Sequence, residues 1–245
     1  MEQKKETMAR KPRMSLFARL LDVVVPRFCC VCGRRLAIGE EELCARCNME
    51  LPRTGFAQSP ADNELARGYW GIVAVERSAA LFYYYAHAEA TQTVLRFKYA
   101  DHPETAVFFG RMMAREFGES GFFDDVDVIV PVPLDKARQR QRGYNQSEML
   151  ARGIAEVSGV AVAARAVRRK EFRGSQTRLD RWQRGENVKD VFAVVRPEQL
   201  KGKHVLLVDD VITTGATTVS LARELLGAGV RCVSIAALAC VRHIK

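Results

Sequence analysis

The 245-residue chain lacks any apolar run long enough to cross a bilayer. Its best candidate, MSLFARLLDVVVP, is short and is broken by Arg19 and Asp22, and no small-residue cleavage pattern marks it as a signal peptide. A short amphipathic helix fits better, with Leu16, Phe17, Leu20 and Val24 on one face. There is no internal repeat and no low-complexity tract. Histidine is scarce: His87, His102, His204 and His243 are scattered, and no Ser-His-Asp or Cys-His arrangement stands out. Neither G-x-x-x-x-G-K-[ST] nor G-x-G-x-x-G occurs, which excludes the Walker A and dinucleotide fingerprints. Acidic residues are also short, 29 against 38 Lys and Arg, for a net charge of +9.

That charge is local. Between Leu134 and Arg184 stand thirteen Lys or Arg and five Asp or Glu, so this segment carries +8 of the total. It is either a solvated basic face or a surface for an anionic partner: phosphate, nucleic acid or acidic lipid. The basic lead-in Lys4, Lys5, Arg10, Lys11 and Arg13 reads as a disordered tail, or as a contact to membrane or nucleic acid.

Of seven cysteines, five cluster in FCCVCGRRLAIGEEELCARCNMELP. Cys29 and Cys32 form one C-x-x-C pair, Cys44 and Cys47 a second, with eleven residues between them. Each knuckle brings two thiolates to one side of an ion, so the four predict a closed structural zinc site. Cys30 offers a competing register in place of Cys29. Redox C-x-x-C pairs are the alternative, but no βαβ pattern surrounds them. Zinc would hold a module too small for its own core. Cys232 and Cys240 read as core residues, and nothing implies disulfides, so a cytoplasmic location is expected.

The expected organisation is a tail with a short helix over 1–27, a double zinc-ribbon-like module of four cysteine ligands over 28–52, a polar linker, and an α/β domain over 69–245. GIVAVERSAALFYYY predicts two short strands around Glu76-Arg77-Ser78, and residues 91–118 two helices broken around Asp101-His102-Pro103. VDVIVPVP and VAVAARAV predict strands, and NQSEMLARGIAEVSG a helix capped by Asn145 or Ser147, with Gly159 past its end. HVLLVDD, TGATTVSLARELLGAG and VRCVSIAALAC predict strand, helix and strand. Residues 170–190 read as a long basic loop. The alternation from Val126 onward predicts a mostly parallel sheet flanked by helices.

In such a sheet ligands sit beyond the carboxyl ends of the strands, and Asp209 and Asp210 are placed there. They suit paired hydroxyls, as on a ribose, or a hydrated Mg2+. TTGAT follows and opens a helix, whose first N–H groups lack partners and favour an anion. Gly215 and Ala216 let a phosphate approach, and Thr213, Thr214 and Thr217 add hydroxyls. An ordinary strand–turn–helix with capping threonines would share this pattern.

VLLVDDVITTGAT resembles the signature of type I phosphoribosyltransferases. The resemblance implies that Thr213, Thr214, Gly215, Ala216 and Thr217 bind the 5′-phosphate of phosphoribosyl pyrophosphate (PRPP), with Asp209 and Asp210 on the ribose. With the cysteine module, RFKYADHPE, DVIVPVPLDKARQRQRGYNQSE and SQTRLDRWQRGENVKDVF, the chain resembles the ComF competence-protein family over about Phe28 to Ala239. One departure is Asp135, where many relatives carry histidine.

The resemblance further implies a pyrophosphate loop at Val132, Pro133 and Leu134, with Arg138, Arg140 or Arg142 as phosphate ligands, or else as a solvated helix end. Residues 170–189 resemble the family's mobile hood, offering Lys170, Arg173, Gln176, Arg178, Arg181 and Arg184, or are a disordered basic loop. The expected function is a Mg2+-dependent, PRPP-binding phosphoribosyltransferase-like protein linked to DNA uptake, of unspecified acceptor. Two alternatives stand beside it. One is a non-catalytic PRPP sensor or single-stranded-DNA binder, with Tyr144 and Trp182 stacking on bases. In the other, the zinc module docks a partner such as a DNA-translocating helicase.

Overall fold

The computed structural model describes residues 25–85, 103–170 and 191–242. Contacts divide the chain into two compact units, Met1–Glu50 and Leu51–Lys245. The expected N-terminal helix, the helix before Pro103 and most of the basic loop lie outside the described residues.

In the first unit, Cys29 to Gly33 is a tight turn: the Gly33 N–H donates to the Cys29 carbonyl at 2.9 Å, with Gly33 at φ 67°. An antiparallel bridge between Phe28 and Arg35 closes it. Helix α1, Ala45–Glu50, begins just after Cys44 and carries Cys47 of the second knuckle. Glu40 accepts from the N–H groups of Ala37 (2.6 Å) and Ala45 (2.7 Å), which hold its carboxyl below the usual range.

The second unit is built on a four-stranded parallel sheet. In chain order its strands are β1 (Ser78–Tyr84), β2 (Val128–Pro131), β5 (His204–Ile212) and β6 (Cys232–Val241), and in space they run β1-β6-β5-β2. The short strands β3 (Val167–Arg169) and β4 (Phe192–Val194) form a separate antiparallel pair. Nearly continuous burial along β2, β5 and β6 is the pattern of a sheet covered on both faces.

Helices α2 (Glu64–Arg67), α3 (Pro103–Gly118), α4 (Lys136–Arg142), α5 (Gln146–Ser158) and α6 (Ala216–Gly227) complete the unit. The crossover β1–α3–β2 and the crossover β5–α6–β6 traverse the sheet in opposite directions, so right-handed connections put α3 and α6 on opposite faces. Helix α5 packs on α3 and on β5 and β2.

Three expectations are corrected. The expected linker is folded: Phe56–Gln58 is a 3-10 turn, α2 follows, and Phe56, Ala57, Ala66 and Tyr69 are buried. Buried Asn63 organises this stretch, its amide donating to the carbonyls of Ser78 (2.8 Å) and Ser59 (3.0 Å) while its oxygen caps α2. Arg53 bridges Phe82 and covers the outer edge of β1.

Of the two strands expected around Arg77, only β1 forms. Gly71 turns the chain at φ 72°, and the Arg77 guanidinium is held by the carbonyls of Phe122 (3.1 Å) and Asp124 (2.7 Å). VAVAARAV contributes a parallel bridge from Val162 to Ile129 and, after the turn at Ala163–Ala166, only the first residue of β3.

Candidate functional site

β5 delivers both carboxylates. Strand side chains alternate, so Asp209 turns toward α5 and is buried, whereas Asp210 on the other face is half-buried. Asp209 Oδ1 accepts from Ser147 Oγ at 3.2 Å and from the Asp210 N–H at 2.8 Å. Asp210 Oδ1 accepts from the Val211 N–H at 2.6 Å. The strand continues past the pair to Ile212, two residues further than the sequence pattern indicated.

The chain then turns through Thr213 and Thr214 into α6. Gly215 is the cap at φ 75°, a left-handed conformation that a side chain would strain, and it supplies no capping side chain. The nearest substitute is Thr214 Oγ1, 3.4 Å from the Ala216 N–H. Thr213, Thr214, Ala216 and Thr217 are exposed. The start of a twelve-residue helix is thus open to solvent beside a carboxylate pair, with its partial positive charge available to an anion.

Behind this turn lies a contact the sequence did not disclose. Tyr69 is buried beneath Gly215, with its ring 3.5 Å from where a Cβ would stand. Thr218 Oγ1 donates to the Gly215 carbonyl at 2.8 Å, so the Tyr69 hydroxyl, 2.9 Å away, donates to Thr218. Burial pushes the Tyr69 phenol up to about 12, the Thr218 hydrogen bond pulls the other way, and the Asp209 charge adds to the rise. It therefore remains a donor. A shallow cleft lined by Phe56, Leu65, Tyr69, Ile212, Gly215 and Cys240 opens beside the turn. A smaller one lies between Asp209, Val211 and the turn itself.

Neighbouring β2 ends at Pro131, and the Val132 N–H extends the ladder to Val208 at 2.9 Å. Val132 is buried, Pro133 and Leu134 half-buried. Asp135, the departure from the family pattern, caps α4 by accepting from the Ala137 N–H at 2.9 Å. No residue of α4 is buried, and Arg138 and Arg140 are exposed. Arg142 turns back to donate to buried Gln146 at 3.1 Å. Asn145 caps α5, accepting from the Ser147 N–H, and its amide donates to the Val132 carbonyl at 3.0 Å.

The Lys170 N–H donates to the Val191 carbonyl at 2.8 Å, so β3 and β4 bring the two ends of the basic segment together. Arg173, Gln176, Arg178, Arg181 and Arg184 lie outside the described residues.

In the first unit the sulfurs of Cys29, Cys32, Cys44 and Cys47 lie within 4.8 Å of one another. Cys32 and Cys44 Sγ are 3.8 Å apart, the separation expected when Zn–S bonds of about 2.3 Å form a tetrahedron. The set fits zinc, and Cys30 is outside it. Burial pushes the Cys30 thiol up to about 12, and the charges of Cys29 and Glu42 push it further the same way. At Cys29 burial also acts upward, but N–H groups of Cys32, Cys44 and Val31 outweigh it and bring the thiol down to about 7. A thiolate there is ready for a metal. None of the seven cysteines forms a disulfide, and burial pushes Cys240 up to about 12, as for a core residue.

A family model described as phosphoribosyl transferase domain matches residues 104–244, more than half of the chain. The chain belongs to that family. Its α/β fold is accordingly that of the type I phosphoribosyltransferases. The DNA utilization protein YhgH of Salmonella typhimurium is 27% identical over 223 residues, covering 87% of this chain and 96% of that one. Competence protein F of Haemophilus influenzae is 33% identical over 114 residues, 46% of this chain and 50% of its own. Competence protein ComFC of Bacillus subtilis is 26% identical over 151 residues, 62% and 59% of the two chains. These relatives bear out the resemblance to the ComF family. No helix among the described residues is long and apolar enough to cross a membrane.

Proposed function

We propose that this phosphoribosyltransferase-like protein binds PRPP with Mg2+ across the carboxyl ends of β2 and β5, and transfers its ribosyl phosphate in the handling of incoming DNA. The observation that carries the reading is the pairing of Asp209 and Asp210 with the uncapped start of α6 at Gly215. In this arrangement the 5′-phosphate takes the N–H groups and hydroxyls of Thr213, Thr214, Gly215, Ala216 and Thr217. The carboxylates receive the ribose hydroxyls. The pyrophosphate lies along Val132, Pro133 and Leu134, with Arg138 and Arg140 as charged donors. Lys170, Arg173, Gln176 and Arg178 serve as a lid that excludes water.

Two neighbouring carboxylates and substrate phosphates are the hard oxygen donors that Mg2+ prefers, and Asp209 and Asp210 are the residues that would hold it. Bound there, the ion would offset charge on the departing pyrophosphate. The C1–O bond breaks with its electrons leaving on pyrophosphate, and the acceptor's lone pair forms the new bond to C1. The fixed donors around the phosphates need no reorganisation as that charge develops. Disulfide-free thiols and a zinc site of four cysteines fit a cytoplasmic setting.

One observation favours a second, non-catalytic reading. Helix α4 has no buried residue and exposes Arg138 and Arg140 beside the site, as a strip for single-stranded DNA would. Pyrophosphate release from PRPP with Mg2+, scanned over bases, amines, ammonia and single-stranded DNA, separates the two. The enzyme reading expects release that is lost in Asp209→Asn and Asp210→Asn. PRPP binding without release for any acceptor, together with salt-sensitive DNA binding retained in both variants, sinks catalysis and leaves the binding protein.

A further inference from the structure

The first turn of α5 enters the site from beneath, and it touches both halves. Asn145 and Ser147 are 8% and 5% exposed. Capping a helix requires only the Asn145 side-chain oxygen, which accepts from the Ser147 N–H at 3.1 Å. The other end of the same amide donates to the carbonyl of Val132, on the turn assigned to pyrophosphate, at 3.0 Å. Two residues on, the Ser147 hydroxyl leaves its own helix and donates to Asp209 Oδ1, on the ribose side, at 3.2 Å. At the second position of α5 no helical turn precedes Ser147, and its hydroxyl crosses to a carboxylate on another element.

We infer that Asn145 and Ser147 are positioning residues that couple the two halves of the site, so that occupancy of the Val132 turn sets the Asp209 carboxylate and the reverse. The inference rests on the PRPP reading above. Neither side chain touches a reacting atom. Their role is to hold the turn and the carboxylate at one spacing, which PRPP, carrying pyrophosphate and ribose in one molecule, requires. A hydrogen bond to a charged group contributes enough to make its loss a change of about tenfold in affinity.

The test is calorimetric binding of three ligands with Mg2+: PRPP, ribose 5-phosphate and inorganic pyrophosphate. Ser147→Ala removes the donor to Asp209. Asn145→Ser keeps a capping oxygen but is too short to reach Val132. The expected result crosses over. Ser147→Ala weakens pyrophosphate, and Asn145→Ser weakens ribose 5-phosphate, each by about three- to tenfold and each on the half it does not touch. The double variant loses no more PRPP affinity than the worse single one, Ser147→Thr restores binding, and urea midpoints show that the variants are folded. If wild type binds all three ligands and each variant loses affinity only on its own side, the coupling is refuted while the PRPP site stands. If wild type binds none of the three, the PRPP reading falls and the coupling with it.

Discussion

Gly110 on α3 and Gly153 on α5 meet where the two helices cross, and substituting either forces the backbones apart. A Cβ on Gly153 would stand 2.1 Å from the Val107 carbonyl oxygen and 2.9 Å from the Arg111 nitrogen. A Cβ on Gly110 would stand 2.2 Å from the Leu150 carbonyl oxygen. Contacts under 3.0 Å are not tolerated, so the helices must separate by at least about 0.9 Å, and because the obstacles are backbone atoms no rotamer relieves the clash. Separation also loosens Ala106, Phe109, Met113, Leu150 and Ile154, all buried at or near this interface. Overpacking of this kind costs about 3 kcal/mol, and the better helix propensity of alanine returns about 1 kcal/mol. The expected net loss for Gly153→Ala is about 2 kcal/mol. Gly118→Ala, at the end of α3 with nothing within 4 Å of its Cβ, supplies the contrast and should be neutral or stabilising by up to about 1 kcal/mol. Urea unfolding at 25 °C measures both, with unchanged slope identifying a change in stability. Because α5 carries Asn145 and Ser147, the Gly153 variant should also bind PRPP more weakly. A Gly153→Ala protein as stable as wild type would refute the close-crossing argument.

Two further outcomes are expected. One zinc per chain should survive dialysis in wild type and in Cys30→Ser and be lost in Cys44→Ser, read by elemental analysis; zinc lost from Cys30→Ser would overturn the ligand set. Stability should fall as pH drops below about 6.5, because burial, helped by the charges of Arg77 and Arg231, holds the His204 pKa below its ordinary value of 6.5. The unfolded chain then takes up the proton first, so stability present above 6.5 is lost on acidification. Urea titrations at about pH 8 and about pH 5.5, on either side of that value, should show this slope in wild type and a flatter one in His204→Gln. Asp127 does not blur that window: the His204 N–H, with Arg231, holds its carboxyl below 3.8, so its contribution is lost only at more acidic pH.

What could be read from the sequence divides along a physical line. Patterns fixed by neighbouring residues were legible. The apolar run ending in Asp209-Asp210, the glycine opening α6, the Asn145 cap and the twin cysteine knuckles each require only local backbone chemistry. The partners that hold these groups in place come from distant chain segments, and nothing local announces them. Tyr69 packs beneath the Gly215 turn from just past a stretch whose Pro, Gly and Ser content reads as linker, since one buried asparagine, Asn63, does the organising that a periodic apolar face would otherwise do. VAVAARAV has strand composition, yet it sits at the outer edge of the sheet beyond β2, where one bridge is all the pairing available before the chain turns away. The Ser147–Asp209 contact spans 62 residues. It exists only because the right-handed crossover through α3 and the α5 packing against it place the start of α5 beneath the carboxyl ends of β2 and β5. The chemistry of the site is therefore written in one short motif. Its rigidity depends on the topology that brings Tyr69, Asn145 and Ser147 to that motif.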